Sequence, residues 1–408
     1  MIIQGTLVSS SGTSHSQIRL SGNQIAEVGA DLGTPDLTFS DDCLIFAGMG
    51  DIHIHARDDV GESQIYKEDF CTAAAAAING GVVHVADMPN NPVPPITDES
   101  YRDKVKHLEQ RKPAIHFTLY AGIGPGTRPL SFAVPYKAYM GPSVGDLFFR
   151  TLEQLDETLS HYRGCNVSFH CEDPILLDEH ASAATHEERR PAECEISATR
   201  FALQMIEKYD LRGKLCHYSV GEGLPLIREA RSRGVKVTCE VTPHHLYFDQ
   251  SDLTDENRGK MQMNPPLRTV SDRKAMLAAL HEGTLDYLAT DHAPHTLEEN
   301  EQGISGQPHL DTYGAFVTWL ILDQKFTPEQ AAKFCSENPG DFVNPYVSPK
   351  KFGRIEPGYT ASLTVLNLKQ PVTIKREDMQ TKCGWSPFEG ITFPGSVEAV
   401  FIEGDRVR

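Results

Sequence analysis

The sequence is short of several things, and each shortage excludes something. Basic residues are outnumbered: 38 Lys and Arg stand against 56 Asp and Glu, for a formal net charge of -18. That balance argues against a nucleic-acid partner or an anionic membrane surface, both of which need clustered Lys and Arg. No apolar run is long enough to span a bilayer. The start, MIIQGTLVSS, lacks the charged n-region and long apolar core of a signal peptide. The nine cysteines are odd in number and none form a C-x-x-C, so reduced, buried thiols in a cytoplasmic protein are expected. No repeat with a period of roughly 20–50 residues is present, which removes solenoid architectures.

What is present is a long alternation of strand and helix patterns. At 408 residues the chain suits a large α/β barrel with a smaller appended domain. Apolar or β-branched runs fall at Leu44–His55, Val82–Ala86, Ala114–Tyr120, Pro135–Met140, Asn166–His170, Lys214–Ser219, Val235–Val241 and Leu285–Thr290. Helical patterns separate several of them, including the Ala-rich Glu68–Asn79 closed by Gly80-Gly81. Eight such units predict a (β/α)8 barrel over residues 44–350, with functional groups at the C-terminal ends of the strands. Residues 1–43 and 351–408 are β-rich and are expected to pair into one small β-domain.

The polar residues at those strand ends are of one kind. His53 and His55 lie two apart on one strand, so both imidazoles project from the same face. Lys137 lies in the fourth run, His170 ends the fifth, His217 lies in the sixth and Asp291 directly follows the eighth. Four histidines and an aspartate suit zinc, which takes N and O ligands. A protonated Lys137 would repel cations, but a neutral amine takes up CO₂ to give a carbamate able to bridge two metals. A charge count over two divalent ions, the carbamate, Asp291 and a hydroxide leaves the centre about one charge positive. Arg57 adds a fixed cation suited to a carboxylate. A small anion is therefore the expected partner despite the acidic whole.

The motifs G-D-I-H-I-H-A-R-D, K-E-D-F, D-M-P-N-N-P, Y-K-A-Y-M-G, S-F-H-C-E-D, C-H-Y-S, T-P-H-H-L, M-N-P-P-L-R, T-D-H-A-P-H-T and W-S-P-F-E-G run through essentially the whole chain. Together they resemble the amidohydrolase superfamily and, within it, the dihydroorotases. The resemblance implies a distorted barrel with a small β-domain from both termini. It also implies two Zn²⁺ ions: one on His53, His55 and Asp291, the other on His170 and His217, bridged by carboxylated Lys137. Arg57, Asn90 and His295 would bind the substrate carboxylate. Asn264 and the loop around Gly306–Leu310, His309 and Leu310 included, would contact the ring, with His55 also at the substrate. The implied reaction is reversible hydrolysis of dihydroorotate to N-carbamoyl-aspartate in pyrimidine synthesis, with Asp291 as base and then acid. Residues 292–310 read as a lid over the cleft or as a plain surface loop. Two alternatives stand beside this reading: an allantoinase or hydantoinase, and a non-catalytic scaffold on the same fold. A homodimer stays open as an assembly state.

Overall fold

The computed structural model describes residues 1–142 and 147–408. Among these, eight parallel strands make a barrel. Met49–Ile54, Val82–Asp87 and His116–Leu119 pair in that order. After a one-residue break at Tyr120, Ala121–Ile123 carries the sheet on to Tyr136–Tyr139, Asn166–His170, Arg212–Leu215, Val237–Val241 and Tyr287–Leu288. The ring closes where Ile54 bridges His292 and the His55 N–H donates to the His292 carbonyl at 2.7 Å. Register shifts in the first pairing and a two-residue eighth strand distort it. No helix among the described residues is long and apolar enough to cross a membrane.

The run from Leu44 to His55 is two strands rather than one. Cys43–Ala47 belongs to an eight-stranded sheet built from both termini, between Ile2–Ser9 and Leu363–Asn367. Met49–Ile54 starts the barrel. Gly48 is the joint, because a Cβ there would meet Val83 Cγ2 at 2.2 Å and the Ser362 carbonyl oxygen at 3.0 Å. Alternation in Cys43–Ala47 explains its unbroken hydrophobicity. Cys43 and Ile45 face a core with Ile3, Ile18, Val365 and Phe401, while Leu44 and Phe46 face the barrel core. Within 351–408 the chain also leaves this sheet. A ribbon of Val372–Thr373 and Thr392–Phe393 brackets a loop whose Trp385 indole donates to the His295 carbonyl at 2.8 Å.

Local signals set the helix ends. Phe70–Asn79 starts two residues later than its pattern because Asp69 and Thr72 form a reciprocal cap. Glu68 is thereby freed to turn inward, where it accepts from His292 and Thr381. The nine cysteines form no disulfide, and six are buried.

Candidate active site

The strand ends bring His53, His55, Lys137, His170, His217 and Asp291 to one cleft at the C-terminal mouth of the barrel. His53 Nε2 and His55 Nε2 lie 3.2 and 3.0 Å from the same oxygen, Asp291 Oδ1. His170 Nδ1 faces His217 Nε2 at 2.9 Å. The His53 and His217 ring centres are 5.3 Å apart, which joins the two groups. Arg57, His217 and Asp291 have φ of 56°, 35° and 50°, a left-handed backbone that side chains other than glycine seldom adopt. Three such residues around one cleft are strain held in place by the surrounding barrel.

Outer hydrogen bonds orient the rings. Glu240, at the seventh strand, accepts from His53 Nδ1, from the Lys214 ammonium and from the His217 backbone N–H at 3.1 Å. Glu172 accepts from His170 Nε2 at 2.8 Å and from Arg190. Asn90 Oδ1 lies 2.7 Å from His55 Nδ1. Burial holds the His53 imidazole down to about 4 against the pull of Glu240. Burial likewise lowers His55 and His170. His217 is driven well below the usual imidazole range by burial and by the charges of His170 and Lys137. Burial alone would raise the Asp291 carboxyl, but His53 and His55 beside it hold it well below the ordinary range.

This donor set fits a metal. Neutral imidazoles and an ionised carboxylate are the forms that bind divalent ions. His53, His217 and Asp291 each offer a ligand atom within 4.8 Å of the others. The Lys137 amine and His217 Nδ1 are buried and have no hydrogen-bond partner among the described residues.

Arg57, Asn90 and Asn264 also line the cleft. Arg57 is buried; one terminal nitrogen, Nη2, lies 3.0 Å from His295 Nε2, while Nη1 has no partner among the described residues. Three residues expected at the substrate stand outside the lining. His295 sits behind Arg57, with Lys67 and Glu299 on its far nitrogen. The His309 ring is turned toward His244 and Gln307, and the Leu310 side chain is packed into the core. Only the first half of the 306–310 loop reaches the cleft, through Gly306 and Gln307, with Ser305 just before it. Residues 292–310 are tied down: Ala293 N–H donates to the Gln307 carbonyl at 2.8 Å and Gly306 N–H to the Gln262 carbonyl at 3.0 Å.

A family model described as the amidohydrolase family matches residues 151–407. The chain belongs to the amidohydrolase family. This amidohydrolase is 33% identical over 375 residues to a dihydroorotase of Methanosphaera stadtmanae, covering 86% of this chain and 82% of that protein. It is 31% identical over 365 residues to a dihydroorotase of Pyrococcus furiosus, covering 89% and 81%. Among solved structures, an L-hydantoinase (dihydropyrimidinase) from Arthrobacter aurescens superposes with a TM-score of 0.88 at 23% identity. That match covers 100% of this chain and 95% of the other, and establishes the barrel with its terminal sheet. The protein is a metal-dependent cyclic amidohydrolase.

Several residues of this amidohydrolase's cleft and its support carry little sequence signal. Glu240 and Glu172 read as ordinary charged residues in V-T-C-E-V and H-C-E-D, although a carboxylate inside an apolar strand was itself a cue. Tyr139, His244 and Met263 line the cleft from within quoted motifs, where they read as filling.

Proposed function

We propose that this chain is a dihydroorotase, acting in pyrimidine synthesis on dihydroorotate and N-carbamoyl-aspartate. The observation that carries the reading is the buried Arg57 guanidinium in the cleft, whose Nη1 has no hydrogen-bond partner among the described residues. A buried cation with an unmet donor is costly, so it calls for an anionic ligand. Dihydroorotate has a ring carboxylate to meet it, and hydantoin and allantoin do not. Asn264 Oδ1, likewise buried and without a partner among the described residues, suits a ring N–H. The curated relatives named dihydroorotase support the same choice.

Two zinc ions would be held by His53, His55 and Asp291 on one side and by His170 and His217 on the other, with Lys137 as a carbamate between them. Bound there, divalent ions supply Lewis acidity, polarising the ring carbonyl and acidifying the attacking water. Asn90, Glu240 and Glu172 keep the imidazoles in one tautomer, with a nitrogen lone pair available inward. Arg57 and Asn90 hold the ring by its carboxylate, and Asn264 fixes its rotation. Asp291 enters ionised, accepts the proton of the attacking water and returns it to the departing ring nitrogen as the C–N bond breaks. Ring opening leaves a second carboxylate on the product.

Steady-state turnover of dihydroorotate, hydantoin and allantoin by the zinc-loaded protein tests this. Dihydroorotate should lead by at least about a hundredfold in kcat/KM, the worth of a charged contact in a dry site. Faster opening of hydantoin or allantoin would refute it.

A further inference from the structure

One cleft group has no role so far. Tyr139 is 2% exposed, lines the cleft, and its hydroxyl is buried with no hydrogen-bond partner among the described residues. Interior hydroxyls are almost always paired, so an orphan facing a ligand cleft marks a contact waiting for a ligand. Tyr139 follows Lys137 by two on the same strand, so both point inward. Lys137 Nζ lies 5.2 Å from the Tyr139 ring centre, and the His170 ring centre is 6.1 Å away. Two residues advance a strand by roughly 6–7 Å. Tyr139 therefore stands one step nearer the barrel mouth than Lys137, as Arg57 stands one step beyond His55.

A carboxylate offers about four lone-pair positions. Arg57 has one terminal nitrogen left, and Asn90 is turned so that its oxygen faces His55, which leaves its amide nitrogen for the cleft. One more donor at that level would bring the donor groups on the carboxylate to three. We propose that the Tyr139 hydroxyl donates to the substrate's carboxylate and, with Arg57, sets the preference for an anionic ring. This rests on the dihydroorotase reading given above.

Tyr139→Phe removes the oxygen and little else. Titration calorimetry of zinc-loaded wild type and Y139F would use orotate as the carboxylate-bearing probe and uracil as the same ring without it. Orotate should bind Y139F at least about tenfold more weakly, with uracil unchanged. KM for dihydroorotate should rise by a similar factor, with kcat held within about twofold. Equal weakening for both probes, or none for either, overturns the proposal, as does loss of zinc from Y139F. Failure of the underlying reading is a separate result, wild type that ignores dihydroorotate, and the orotate-to-uracil comparison still decides Tyr139 in that case.

Discussion

Replacing Glu240 with Gln keeps the side chain's shape and removes its charge. Glu240 is fully buried and serves three donors: His53 Nδ1, the Lys214 ammonium and the His217 backbone N–H. An amide has one accepting oxygen, and its NH₂ turns away every donor it meets, so at least one of the three goes unpaired. Lys214, fully buried too, keeps its ammonium without a counter-ion. Breaking a buried ion pair in this way costs about 3–5 kcal/mol. At about 1.4 kcal/mol per decade, that is two to three and a half orders of magnitude in the folded-to-unfolded ratio. Urea unfolding followed by circular dichroism reads the loss. Adding Lys214→Met removes the stranded ammonium at similar volume, so the double variant should regain more than half the lost stability. A loss under about 1 kcal/mol in E240Q, or a double variant no better than E240Q alone, would refute the reasoning.

Asp291→Ala should lower kcat by about 10²–10⁴-fold while at least one metal stays bound, since the His170 and His217 side is untouched; near-normal turnover would remove Asp291 from the chemistry. Burial lifts the Glu195 carboxyl from 4.5 to about 7 against the opposing pull of Arg268. Its folded value lies above its unfolded one, so its contribution is whole below about pH 4.5 and is lost as pH rises to about 7. Glu195→Gln should flatten the urea midpoint over that window, and an unchanged slope would contradict the assignment. Gly50→Ala would place a methyl 2.1 Å from the His84 ring, deep in the barrel. It should cost about 1–3 kcal/mol by overpacking, measured as a lower urea midpoint, and wild-type stability would show that His84 moves freely.

The metal-type residues are legible in the sequence because each lies in or directly after an apolar run, and barrel geometry turns separate strand ends into one mouth. His53 and His55 needed only the two-residue period. Glu240 and Glu172 were harder: their roles depend on which neighbouring strand they face, and no local pattern records that. The direction of the His309 ring is hidden in the same way: it turns to His244, and no local pattern records that. The joint at Gly48 is invisible to hydrophobicity, because Cys43–Ala47 and Met49–Ile54 are both buried throughout. Only the crowding at Val83 and Ser362 shows why a glycine separates them.

Cys43–Ala47 lies in a sheet between Ile2–Ser9 and Leu363–Asn367, and Ser396–Ile402 lies beyond the latter. During synthesis the earliest strands therefore wait for partners made hundreds of codons later. A growing chain carries Ile45 and Phe46 with one side of their backbone unmatched until translation is almost over. Factors that shield nascent chains should matter most in that interval, and a stop codon shortly before Leu363 should leave aggregate in place of a smaller enzyme.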